Sequence, residues 1–151
     1  CDAGEPSTIT GSAGQFTLHP VKNTSLAGMF LVAEIGSTAE DLDVPGQPMA
    51  ETLMLGLAEK PAVVSPLTTV VASMVHAGDT LTQAEARART LLALSSTFDF
   101  STDYLASGDT ETHALAQAVN MVVTVVVGNA TINTTQFLDA VIGVKDDPPK
   151  P

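Results

Sequence analysis

Cys1, Asp2 and Glu5, with Gly4 between the two carboxylates, are the first residues whose types could do chemistry. Carboxylates set around a glycine turn are the donors a hard cation takes, so Asp2 and Glu5 are the candidate Ca²⁺ ligands. Two carboxylates fall short of the roughly six to eight oxygens that Ca²⁺ collects, and a solvated turn is the plainer reading of the same residues. Cys1 is the one cysteine of the chain, so no disulfide can close within it. Three readings of Cys1 stay open: the lipid-modified first residue of a mature lipoprotein, half of a disulfide to another chain or to an upstream segment, or simply where the sequence starts. Asn23, Asn129 and Asn133 each open an Asn-x-Ser/Thr triplet and are candidate glycosylation sites. In a chain this rich in threonine, chance supplies such triplets too.

The remaining reactive types do not assemble into a catalytic pattern. His19, His76 and His113 lie far apart, with no pair at helical spacing and no HExxH, so a zinc site is not expected. His76 reads better as a favourable charge at the negative end of a helix. Ser65 precedes a predicted helix, superficially like a nucleophile on a strand-to-helix turn. Pro66 follows it directly and lacks the backbone N–H that would line an oxyanion hole there. Asp99 and Asp103 share a loop, where paired carboxylates are far more often solvated or cation-binding than an acid/base dyad. The chain has no GxSxG, P-loop, GxGxxG or CxxCH motif. An enzyme is not expected.

The elements that must position these residues divide at Ser65. Before it the pattern is β. Gly11-Ser12-Ala13-Gly14 reads as a turn, and Gln15-Phe16-Thr17-Leu18 alternates as a half-buried strand does. Met29-Phe30-Leu31-Val32-Ala33-Glu34-Ile35 is a stronger strand, continuous enough to be central. An acidic loop follows, then a short strand Thr52-Leu53-Met54-Leu55-Gly56-Leu57, then Val63-Val64 as a buried strand leading into the turn at Ser65. From Ser65 on the chain is helical. Ser65 is an N-cap residue and Pro66 suits the first helical position. Leu67, Val70, Val71, Met74 and Val75 then lie on one apolar face, and Gly78 ends the helix. Thr82 with Glu85 predicts a capping box for a helix over 83–94, and residues 98–108 read as a loop. Asp109 caps a helix predicted over 110–127, with Leu115, Val119, Val122, Val123 and Val126 inward. The β-branched run from Val122 to Val127 would suit a strand as well, but its stripe continues in phase from Leu115. A last helix is predicted over 135–142. The fold class is therefore α+β: a small antiparallel β-sandwich-like part over 1–64, a helical part over 65–144, and a linker or tail over 145–151.

The bulk composition bounds the partners. With 151 residues, 44% hydrophobic and only 4% aromatic, the chain fits a single domain whose core is aliphatic. Six basic against seventeen acidic residues give a net charge of -11. Nucleic acid is not expected as a partner, because that affinity rests on Lys and Arg neutralising phosphates. Cations, Ca²⁺ in particular, are the natural counter-species, and solubility alone also explains the acidity. No apolar run approaches the ~18 residues that span a bilayer, so no transmembrane segment is expected. Sparse charge with abundant Ser and Thr suits an extracellular or cell-surface location.

Cys-Asp-Ala-Gly-Glu-Pro-Ser at the start, followed by Gly14-x-Phe16-Thr17-Leu18, resembles the second half of a pattern in large bacterial surface proteins. There it precedes a strand of a carboxypeptidase-regulatory-like, transthyretin-like β-sandwich. Ser65-Pro66-Leu67-Thr68-Thr69 and Ala84-Glu85-Ala86 resemble the helices that follow the sandwich in those proteins, so the likeness spans roughly residues 1 to 125. The resemblance implies opening strands that have no counterpart in this sequence. A sandwich without them has an exposed edge and an open groove. Either those strands lie upstream of Cys1, or another chain supplies one. The function this implies is a structural subunit of an extracellular or cell-surface assembly, a filament or adhesive layer, self-associating or joined to another surface protein. The alternative is a monomeric surface lipoprotein module that binds a polysaccharide or a protein.

Overall fold

The computed structural model describes residues 5–12, 14–19, 25–36, 38–40, 46, 48, 49, 52–58, 63–127, 136, 137 and 140. In chain order these form β1 (Phe30–Ile35), β2 (Thr52–Leu57), α1 (Pro66–His76), α2 (Leu81–Leu91), α3 (Tyr104–Ser107) and α4 (Thr110–Val127). The class is mixed α+β. Among the described residues the sheet has two strands, paired antiparallel, with Val32 opposite Leu55 and Glu34 opposite Leu53.

Helix α1 is the element around which the rest packs. Ser65 Oγ accepts from the Thr68 N–H at 3.2 Å, and Thr68 Oγ1 accepts from the Ser65 N–H at 2.8 Å. This is a reciprocal capping box built on two hydroxyls, with Pro66 at the first helical position. Leu67, Val70, Val71 and Met74 are buried as the apolar stripe predicts, and Pro66, Thr68, Thr69 and Ala72 are buried beside them. The first turns are thus enclosed on every side: β2, α2 and α4 all pack against α1. The core joins Leu57 of β2 to Leu67, Val70 and Met74 of α1, Ala84 and Ala88 of α2, and Val119 and Val123 of α4. Small side chains on α2 allow its close approach to α1 without aromatic filler. His76 closes the last turn, its ring edge-on to Phe30 of β1 at 6.0 Å.

Three local expectations are corrected. Helix α2 starts at Leu81, two residues before the predicted start, because the capping box forms on Thr80 and Gln83 instead of Thr82 and Glu85. Both pairs satisfy the same spacing. The earlier start brings half-buried Leu81 against the core and leaves Glu85, itself nearly buried, to pair with Arg89 at 3.2 Å. The 98–108 loop contains a short helix, α3, capped by Asp103 through the Leu105 and Ala106 N–H groups and ended by Gly108 at φ 70°. Val63 and Val64 form no strand. Helix α4 covers its predicted span, with Asp109 accepting from the Thr112 N–H at 3.0 Å and Val119, Val122 and Val123 buried. The side chain of Val126 lies outside the described residues. Of the last predicted helix, Gln136, Phe137 and Ala140 are described as helical, and Phe137 is buried in the core.

Candidate functional site: the open edge of the sheet

Side chains on successive strand residues point to opposite faces. Phe30, Val32 and Glu34 therefore share one face with Leu53, Leu55 and Leu57, and Phe30, Leu55 and Leu57 pack into the helical core. Leu31, Ala33 and Ile35 share the other face with Thr52, Met54 and Gly56. Val63 and Val64 cross this second face closely. A Cβ on Gly56 would lie 3.0 Å from Val64 Cγ2 and 3.4 Å from the Val63 carbonyl oxygen, so only glycine lets the segment pass at that distance.

Backbone hydrogen bonds alternate across an antiparallel pair. Ala58 donates to the Met29 carbonyl at 3.0 Å, which sets the phase: Leu31, Ala33 and Ile35 bond to β2, while Phe30, Val32 and Glu34 turn their N–H and C=O groups away from it. On β2, Leu53, Leu55 and Leu57 likewise face outward. The outer edge of β2 is closed by α1. The Leu55 N–H donates to Thr69 Oγ1 at 2.9 Å, and Thr68 Oγ1 donates to the Leu55 carbonyl at 2.8 Å. Two threonine hydroxyls at a helix start thus stand where a third strand would pair, which is why Val63 and Val64 cannot add to that edge.

The outer edge of β1 has no such cover among the described residues. Among the described residues no hydrogen bond reaches the outward backbone groups of Phe30, Val32 or Glu34. Val32 is 48% exposed, and β1 carries neither lysine nor proline, the usual guards of a free edge. Beside it lies a groove with a volume of about 410 Å³. It is lined by Leu31, Val32, Ala33 and Glu34 of β1, by Pro6, Ser7, Thr8, Ile9 and Thr10, and by Phe16, Leu18 and Val64. Lining residues come from both faces of β1, so the groove follows the strand's edge.

Among the described residues the segment 6–10 that lines the groove is itself unpaired. Residues 6–10 are exposed, Ile9 by 92%, and carry neither helix nor ladder. Residues 15–18 were expected as a strand and form none. Phe16 and Leu18 are half-buried and Gln15 and Thr17 exposed, so the two-residue alternation is present. Among the described residues no strand lies alongside it; in the turn before it Gly11 donates to the Gln15 carbonyl at 2.8 Å and Gly14 donates to the Gly11 carbonyl at 2.9 Å.

Of the residues singled out for chemistry, those that are described do not line this groove. Cys1, Asp2, Asn23, Asn129 and Asn133 lie outside the described residues. Glu5 is exposed. Among the described residues no three His, Cys, Asp or Glu side chains form a group able to hold a metal ion, and nothing there supports calcium. Asp99 and Asp103 serve the local backbone: Asp99 accepts from the Ser101 N–H at 2.9 Å and hydroxyl at 2.7 Å, while Asp103 caps α3. His113 lies on α4 beside the Tyr104 ring, and His19 is exposed. No described helix is long and apolar enough to cross a membrane. No protein-family model, curated protein or solved structure matches this chain.

Proposed function

We propose that this chain is a structural subunit of an extracellular or cell-surface assembly, and that a strand from a neighbouring chain completes its sheet. The observation that carries the proposal is the open edge of β1, among the described residues, with a groove alongside. Addition of an extended segment to such an edge gives affinity through main-chain hydrogen bonds and selectivity through alternate side chains. On this reading the N-terminal part is an incomplete β-sandwich: β1 and β2 are one layer, and the segment bearing Phe16 and Leu18 belongs to the second. The absence of a gathered catalytic set among the described residues leaves the backbone edge as the feature with the most binding capacity.

A photo-activatable cross-linking residue placed at Val32, in the chain as made by its native cells, tests the proposal. Mass spectrometry of the adduct is expected to find a short segment of a neighbouring chain joined at this position. Adducts confined to the chain's own residues would overturn the assembly reading.

A further inference from the structure

Resting on that reading, we infer that the strand accepted by the groove comes from a different polypeptide, runs antiparallel to β1, and carries a lysine or arginine opposite Glu34. Residues of β1 and residues 6–10 both line the groove. A second copy offering its own β1 would bring β2 attached along one side, whereas a single strand has both its edges free to enter beside β1. Antiparallel pairing is the more stable arrangement per residue for so short a strand.

The register follows from the outward groups of β1. The incoming residue paired with Val32 shares its face, and so do the residues paired with Phe30 and Glu34. The residues between them point to the opposite face, where Val64 passes close to Gly56, and the groove's further border of Phe16 and Leu18 is apolar. Glu34 is the sole charged side chain among the described lining residues, and it is exposed. A cross-strand partner of opposite charge stabilises the pair, and a like charge directly opposite destabilises it.

Charge also argues against a homotypic donor. Each chain carries -11, so a second copy approaches against repulsion. The unpaired segments bordering the groove, residues 6–10 and 15–18, contain no lysine or arginine to offer Glu34. The partner strand therefore has the pattern basic, apolar, β-branched, apolar, and belongs to a chain less acidic than this one.

Short blocked peptides of alternating valine and threonine test this, one with lysine at the position opposite Glu34 and one with glutamate there. By fluorescence anisotropy at low ionic strength the lysine peptide is expected to bind about three- to tenfold more tightly than the glutamate peptide. Added salt narrows the difference, and Glu34→Lys inverts it. Val32→Pro, which removes an outward N–H and spares the bonds to β2, abolishes binding of both, with circular dichroism reporting the retained fold. Equal or undetectable binding of the two peptides overturns the inference, as does a Glu34→Lys variant without inversion. A Val32 cross-link mapped to a neighbour's strand without a basic residue would also overturn it while leaving the assembly reading intact. Cross-links found only within the chain would remove the reading on which it rests.

Discussion

Replacing Thr69 with valine keeps the volume and the β-branch of the side chain and deletes one oxygen. That oxygen accepts from the Leu55 N–H at 2.9 Å and donates to the Ser65 carbonyl at 2.9 Å, at a position only 5% exposed. Leu55 has no alternative acceptor on β1, because it sits in the non-hydrogen-bonded pair with Val32. A donor left without a partner in a buried setting costs about 1–3 kcal/mol. For a chain of this length each kcal/mol moves the melting temperature by about 2–4 °C, so a fall of about 2–12 °C is expected. Thr69→Ser keeps the oxygen and loses one methyl group, about 0.8 kcal/mol. The two variants separate by calorimetry, and amide exchange separates them more sharply. The Leu55 amide is expected to stay protected in the serine variant and to exchange fast in the valine variant. A valine variant with unchanged stability and a protected Leu55 amide would refute the idea that α1 hydroxyls close the edge of β2.

Three further outcomes follow from the same geometry. Thr52 Oγ1 is buried with no hydrogen-bond partner among the described residues, so Thr52→Val is expected to stabilise the fold by about 1 kcal/mol in denaturant titration. Arg89 donates from Nε to the Phe98 carbonyl at 2.7 Å, pairs with Glu85 and lies 5.5 Å from the Phe100 ring centroid. Arg89→Met keeps much of the apolar stem and loses a charged donor, at a cost of about 1.5–3 kcal/mol in the same titration. Hydrogen bonds from the Thr112 backbone N–H, and then from its hydroxyl, hold the Asp109 carboxyl below its ordinary value of 3.8. A carboxyl lowered in the fold adds stability above its unfolded pKa, and that stability is lost as pH falls through the folded pKa. Asp109→Asn should therefore flatten the acid limb of the stability curve below about pH 4 while preserving an N-cap oxygen.

Local signals carried most of the element positions. Ser65 with Pro66, the Asp109 cap and the in-phase stripe from Leu115 to Val123 all sit where short-range rules put them, and the Val122 to Val127 run is helical. The misses arise where two local solutions compete or where a distant partner decides. Thr80 and Thr82 each head a capping-box spacing, and the packing of Leu81 selects the first. Asp103 and Gly108 are a helix cap and a left-handed terminator, but the α3 they enclose is only one turn. Val63 and Val64 have strand character, but the edge of β2 is already occupied by Thr68 and Thr69 and the pair crosses the face of the sheet at Gly56. That occupation spans 13 and 14 residues of sequence and leaves no periodic trace. Phe16 and Leu18 alternate correctly, yet alternation reports which face is buried and not whether a neighbouring strand exists. The open edge of β1 is visible only once the register with β2 is known.

Residue-resolved amide exchange on the purified chain measures the central claim directly. The edge assignment predicts an alternation along β1: Leu31, Ala33 and Ile35 protected by β2, and Phe30, Val32 and Glu34 exchanging fast, with Leu55 on β2 protected by Thr69. Uniform protection along β1 in the isolated chain would mean that its outer edge is already paired, and the strand-accepting role would fall.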